Sequence, residues 1–158
     1  MTEPTEIVTL HPFNPNTFPG TGDEWIILRE DPTLSSLTRL NLSRVKVLAL
    51  LEEGDGFVTA EQPLKLLKAV SQDTNQIPLG AAAFMFFWEN KDKIPEEWKE
   101  EVGGEIQNVF FTGTILKDPD SGEGCIVYLS WKAGQWSWDR SSLREDFFHN
   151  DRFAVLAT

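Results

Sequence analysis

Apolar and polar positions alternate most regularly within residues 105–140, and this alternation predicts a meander of three β-strands. The strands are expected at 106–117, 125–132 and 135–140. Two groups of turn-forming residues separate them, Asp118–Gly122 and Ala133–Gly134. Three of the six tryptophans and the single tyrosine lie in this meander, which is therefore expected to be the centre of the fold.

The same alternation assigns side chains to the two faces of the meander. Pairing of Lys132 with Gln135 across the tight turn places Trp131 opposite Trp136, on the face that also holds Trp138. Tyr128 belongs to the opposite, more amphipathic face.

Two interpretations of this aromatic face compete. In the first, the three indoles form the inner face of the sheet and pack against a helix, since large aromatic side chains dominate core energetics. In the second, they form an exposed platform that stacks on sugar rings or holds a partner peptide. The amphipathic character of the opposite face favours the first interpretation.

Residues Leu79–Lys93 give the clearest helical pattern. Apolar side chains recur there at helical spacing: Ala81, Phe84, Met85 and Trp88. Phe86 and Phe87 are apolar too, so this helix is expected to be covered on more than one side. A second, shorter helix is predicted to begin at Thr59, where Thr59–Gln62 matches a capping box.

Further strands are predicted at Trp25–Leu28 and within Leu37–Leu51. Residues 45–53 suit either a strand or a helix, because alanine and leucine there favour a helix and the following Gly-Asp-Gly favours a turn between strands. The apolar C-terminal segment, which includes Phe153 and Leu156, is expected to dock onto the body.

The elements together predict one α+β domain at residues 23–158. Its mostly antiparallel, twisted sheet includes the C-terminal three-stranded meander, and two helices pack on one face. Residues 1–22 form a proline-rich N-terminal arm, in which Phe13 and Phe18 are expected to attach to the body or to a partner.

Composition and charge narrow the functional classes. The 158-residue chain is 41% hydrophobic and carries a formal charge of −11. Its acidic residues are spread along the chain without a cluster of Lys and Arg, which argues against nucleic-acid or anionic-membrane partners and leaves a basic protein partner. The single Cys125, the lack of a secretory leader and the lack of a membrane span predict a soluble, cytoplasmic protein. A homo-oligomer is compatible with these features.

Candidate chemistry is sparse. Asp146 and His149 are three residues apart and would present an oxygen and an imidazole ligand on one helical face, but a metal site needs three or four ligands. Glu96-Glu97 and Glu100-Glu101 form a carboxylate cluster that is expected to be a solvated helix surface. The acids in 118–123 are expected to form a hairpin turn, and Cys125 lies within a strand. The sequence predicts no catalytic residue, no metal ligand and no cofactor.

Three stretches, Leu79–Lys99, Val109–Trp131 with Gly134–Trp138, and Phe153–Ala157, resemble a group of short uncharacterised bacterial proteins. They share the patterns W-E-N…I-P-x-x-W-K and W-x-W, over about half of the chain. The resemblance implies a bacterial, cytoplasmic protein of one domain and transfers no functional residue.

The favoured hypothesis is a non-enzymatic acidic interaction protein, an adaptor or inhibitor that binds a protein partner. The alternative is a small-ligand or carbohydrate-binding protein, or a hydrolase that uses Asp or Glu beside the tryptophan cluster. The candidate binding surface comprises aromatic residues and one acid–imidazole pair: Trp131, Trp136, Trp138, Tyr128, Phe13, Phe18, Asp146 and His149.

Overall fold

The computed structural model describes residues 6–15, 17–19, 25–49, 58–59 and 76–157. The strands in these residues, in chain order, are β1 Ile7–Thr9, β2 Ile26–Glu30, β3 Arg39–Asn41, β4 Val45–Leu48, β5 Val58–Thr59, β6 Gln76–Pro78, β7 Asn108–Phe110, β8 Thr114–Lys117, β9 Gly124–Lys132, β10 Gln135–Ser142, β11 Asp146–Phe147 and β12 Asp151–Ala157. One α-helix, α1, spans Ala81–Glu89. Short 3-10 helices lie at Pro32–Ser36, Leu42–Arg44, Lys91–Lys93 and Glu96–Lys99.

Eight strands form the main sheet, and its central path runs β2-β8-β9-β7-β12-β4. β10 pairs with the other edge of β9, and β6 pairs with β12. Every pair in this sheet is antiparallel except β7 with β12, which run parallel. The other described strands form two separate two-stranded sheets, β1 with β3 and β5 with β11. The prediction of a mostly antiparallel sheet is confirmed.

The hairpin of β9 and β10 has the predicted register. Lys132 pairs with Gln135, Trp131 with Trp136, and Leu129 with Trp138. Ala133 and Gly134 both have positive φ, 50° and 77°, which is the backbone of a tight two-residue turn.

The predicted first strand of the meander, 106–117, is wrong in one respect, because it is two strands, β7 and β8. Both pair with β9, and they are separated at Gly113. The backbone N–H of Gly113 donates to the carbonyl of Leu79 (2.9 Å), and its carbonyl accepts from the N–H of Asp31 (2.7 Å). A Cβ at Gly113 would lie 2.4 Å from the carbonyl oxygen of Pro78, so this crossing requires glycine.

α1 is the one α-helix among the described residues, so the prediction of two helices on one face is confirmed for one of them. The second helix, predicted to begin at Thr59, falls on residues 60–70, which lie outside the described residues, and it stays a prediction. The chain after α1 turns twice as 3-10 helix, at Lys91–Lys93 and Glu96–Lys99. Of the ambiguous residues 45–53, Val45–Leu48 form a strand that pairs with β12, and 50–53 lie outside the described residues.

Two apolar cores lie against the main sheet. The larger contains α1, the arm and the indole face of β9 and β10. The smaller contains five buried residues: Phe110, Ile126, Phe147, Phe153 and Val155. Phe153, Val155 and Leu156 of β12 are all buried, which confirms that the C-terminal segment docks.

The arm packs onto the body, which is one of the two roles predicted for it. Phe18 is buried, with ring centroids 5.7 Å from Phe84 of α1 and 4.6 Å from Trp25. Phe13 contacts Phe18 at 5.5 Å. Glu6 also pairs with Lys93, just after α1, at 2.7 Å. The arm therefore covers part of α1, which explains why this helix carries apolar side chains on more than one side.

Candidate interaction surface

The three indoles of the meander belong to the larger core. Trp136 is 8% exposed, and Trp131 and Trp138 are half-buried against the core. The rings of Trp131 and Trp136 are 5.2 Å apart, edge to face. Trp138 contacts Phe18, at 5.3 Å, and Phe84, at 6.0 Å. The core interpretation of these indoles is confirmed.

Tyr128 lies on the other face, in the smaller core. Its ring is 4.7 Å from that of Phe110, and burial raises the pKa of its hydroxyl to about 12, helped by the charges of Asp139, Glu145 and Asp151. Half-buried in this way, Tyr128 is neutral at physiological pH and acts as a packing residue.

Asp146 and His149 do not share a helical face, contrary to the prediction. Asp146 lies in β11 and pairs with Thr59, whereas His149 lies in the turn that precedes β12. The backbone carbonyl of His149 accepts a hydrogen bond from Arg152, and its buried Nε2 has no hydrogen-bond partner among the described residues. Because β11 is a strand and His149 lies in a turn, the helical spacing on which this pair was predicted does not apply.

The buried carboxylate of this region is Asp151, which the sequence reading did not single out. Asp151 is 4% exposed and accepts hydrogen bonds from the side chain of Asn108 (3.0 Å) and from the backbone N–H of Phe148 (2.8 Å). Burial raises its pKa, while these two bonds and the charges of Arg152 and His149 act in the opposite direction. Asp151 thereby joins the turn before β12 to the start of β7.

An acidic edge lies between α1 and β7. We define it as Glu96, Glu97, Glu100, Glu101 and Glu105, all of which are exposed. Gln107 is buried, and its side chain donates to the backbone carbonyls of Glu97 and Glu100, at 3.2 Å each. The four glutamates at 96–101 were expected on a helix, but only 96–99 turn as 3-10 helix, and Val102 and Glu105 then exchange backbone hydrogen bonds across a tight turn, at 2.8 and 3.0 Å. The backbone that carries the five glutamates is therefore fixed by specific hydrogen bonds.

Lys99 is the one cation in the sequence 94–106. Its Nζ lies 3.2 Å from the carboxylate of Glu96 and 4.3 Å from the ring centroid of Trp131. Because this ammonium group is bound to Glu96 and Trp131, it offsets the negative charge of the other four glutamates only weakly.

Two large apolar side chains at the end of the sheet where β7 and β12 begin are exposed, Ile106 at 38% and Phe148 at 46%. We call them the apolar pair. They precede β7 and β12, whose parallel register sets Asn108 beside Asp151. The side chain of Asn150 also donates to the carbonyl of Ile106 (2.9 Å). The two segments therefore emerge side by side at one end of the sheet.

Other acidic groups have local structural roles. Asp118 and Asp120, in the predicted hairpin turn, bind the guanidinium of Arg140 at 2.8 and 2.7 Å. The hydrogen bond from Arg140 lowers the pKa of Asp118. Burial raises the pKa of the Cys125 thiol to about 12, as expected of a thiol inside a strand. Within the described ranges, no three His, Cys, Asp or Glu side chains cluster as metal ligands would.

None of the helices in the described part of the chain is long and apolar enough to cross a membrane. No family model, no curated protein and no solved structure matches the chain. The resemblance noted in the sequence stays a prediction.

Proposed function

We propose that the protein is a non-enzymatic interaction protein that binds a basic protein partner through its acidic edge. The observation that carries this proposal is the set of five exposed glutamates on a segment whose backbone is held by Gln107 at Glu97 and Glu100 and by the bonds between Val102 and Glu105. Because carboxylates of one sign on an ordered segment create a local negative potential, they attract a partner of opposite charge and orient it.

The position of these charges also supports a protein partner. A basic polypeptide supplies Lys and Arg side chains at spacings that match carboxylates, whereas a nucleic acid presents phosphates that the edge would repel. The formal charge of −11 for the whole chain also attracts a basic partner and repels a nucleic acid.

A charge-matched pair of variants tests the proposal. Glu100, Glu101 and Glu105 are replaced by Gln in one protein, and Glu89, Asp92 and Asp139, which are exposed outside the edge, are replaced by Gln, Asn and Asn in the other. The probe is a fluorescein-labelled peptide of about a dozen residues that combines lysines with three leucines. Fluorescence anisotropy should show affinity falling about tenfold for the edge variant and less than about twofold for the other.

Both variants lose three negative charges, so net charge alone predicts equal effects. Equal weakening in the two variants, or binding that does not respond to salt, would contradict a defined acidic edge.

A further inference from the structure

One ammonium group joins the start of the acidic edge to the indole face of the main sheet. The Nζ of Lys99 lies 3.2 Å from each carboxylate oxygen of Glu96 and 4.3 Å from the ring centroid of Trp131. The carboxylate and the indole therefore contact the same cation. A carboxylate attracts a cation by its charge, and the face of an indole ring attracts one by its quadrupole. Together they form a cation site that a residue of the chain itself occupies.

The turn that carries the carboxylate is ordered before any partner binds. Side chains three residues apart in a 3-10 helix are eclipsed, so Glu96 and Lys99 project from the same side of their turn. Trp98, in the same turn, is buried and packs on Phe87, with ring centroids 5.4 Å apart. The side chain of Gln107 also holds the backbone here through two carbonyls, at 3.2 Å each. A site that is already ordered loses less conformational entropy on binding.

The indole of the site is fixed by the sheet. Trp131 pairs with Trp136 across the β9–β10 hairpin, and the two rings meet edge to face. Trp131 is half-buried, whereas the side chain of Glu96 is 83% exposed and that of Lys99 is 31% exposed. The site therefore opens to solvent, and the Lys99 side chain can leave it without disturbing the core.

Lys99 occupies the site with a weak hold. An exposed ion pair and an exposed cation–π contact each contribute little, because water and salt compete with both. A tethered cation nevertheless excludes a free amine at low concentration, since its effective concentration at the site is high. A partner that brings several cations at once gains enough from the other glutamates of the edge to displace it.

Resting on the proposed function, we infer that Trp131 and Glu96 bind a lysine side chain of the basic partner, and that Lys99 fills this site as an intramolecular competitor until the partner arrives. The partner's ammonium takes the position of Lys99 Nζ, between the ring face and the carboxylate, and the Lys99 side chain turns into solvent. The exchange selects polypeptides with several cations over single amines, because only the former also reach the glutamates that follow in the acidic edge.

Two variants that each remove one lysine test this inference in the full chain. Lys99→Met vacates the site. Lys132→Met is the control, because Lys132 is exposed and follows Trp131 in the sequence but lies on the other face of β9. The probe is the labelled lysine–leucine peptide. Its affinity, measured by fluorescence anisotropy, should rise about threefold in Lys99→Met and less than about 1.5-fold in Lys132→Met, whereas net charge alone predicts equal gains.

Substitutions of the indole separate the site from the loss of a charge near the glutamates. In the Lys99→Met background, Trp131→Leu should remove most of the gain in affinity, and Trp131→Phe should keep part of it, because indole binds cations more strongly than a phenyl ring. The milder Trp131→Phe also covers failure of Trp131→Leu to fold, which circular dichroism checks.

The outcomes separate the two proposals. Equal gains in Lys99→Met and Lys132→Met, or a gain that is unchanged by both substitutions of Trp131, would overturn the cation site while leaving the acidic edge supported by its own glutamate variants. Peptide affinity that does not respond to those glutamate variants would instead remove the proposed function itself.

Discussion

Thr114 shows how a single hydroxyl connects the sheet to the helix. Gly80 precedes α1 and has no side chain to cap it, and the backbone N–H of Ala81 instead donates to Thr114 Oγ1, at 2.9 Å. Thr114→Val keeps the shape but leaves a buried donor without a partner, which costs about 1–3 kcal/mol of unfolding free energy. Urea unfolding measures this loss, and Thr114→Ser, which keeps the hydroxyl, should retain most of the stability. Equal midpoints for the two variants would show that the bond contributes nothing.

Asp151 gives a pH dependence whose sign follows from its burial. Since its folded-state pKa is raised, ionising it costs folding free energy: the cost is absent below the unfolded-state pKa and complete above the folded-state pKa. Its contribution to stability therefore falls as pH rises through this window. Asp151→Asn cannot ionise, so the stability advantage of the wild type over this variant should shrink as pH rises above the ordinary pKa of an aspartic acid, about 4.

The measurement is the urea midpoint of both proteins at several pH values. Groups that do not interact with Asp151 contribute equally in both proteins and cancel in the difference. An advantage that stays constant or grows with pH would mean that the carboxylate is stabilised rather than destabilised by its surroundings.

At the scale of elements, the arm belongs to the core. Phe18 is buried among Trp25, Phe84 and Trp138, and Phe13 is only half-buried. Phe18→Ala should therefore lower the unfolding free energy by about 3 kcal/mol, as large-to-small changes of buried Phe do, and Phe13→Ala by less. Phe18→Ala should also shift tryptophan emission to longer wavelength and make it easier to quench, because water then reaches Trp25 and Trp138. Unchanged emission would contradict the arm's contact with these indoles.

Elements defined by local signals were predictable, and those defined by distant contacts were not. The β9–β10 register follows from the turn at Ala133–Gly134, which lies between the paired residues. The split between β7 and β8 arises from bonds of Gly113 to Leu79 and Asp31, far away in the chain. Periodicity carries no information about such crossings, so a continuous strand was the natural expectation.

In the candidate site, too, the features set by local sequence were predictable and those set by distant contacts were not. The glutamates at 96–101 stand out in the sequence, but their fixed backbone depends on Gln107, which reads as an ordinary polar residue. Asp151 and Asn108 meet across a sequence separation of 43, through a parallel pairing that no local pattern predicts. The apolar pair became recognisable only when this pairing placed Ile106 and Phe148 at one end of the sheet.

At the scale of the whole molecule, the −11 charge is a source of repulsion as well as of recognition. Repulsion is strongest where carboxylates are close together, and the acidic edge holds five of them within ten residues. A surface that holds such a concentration of charge lowers the stability of the folded protein when no partner is bound.

This cost is measurable without any partner. Replacing Glu100, Glu101 and Glu105 by Gln should raise the melting temperature by about 2 °C at low salt, because like charges no longer repel. The gain should shrink as salt rises from about 0.01 M to about 0.15 M, since the screening length falls from about 30 Å to about 8 Å. The variant that removes Glu89, Asp92 and Asp139 should gain less at low salt, because Asp92 lies between Lys91 and Lys93 and Asp139 precedes Arg140, so these acids have cations beside them in the sequence. Equal gains for both variants would mean that the protein responds to its total charge, and that the glutamates beside Gln107 do not act as a concentrated edge.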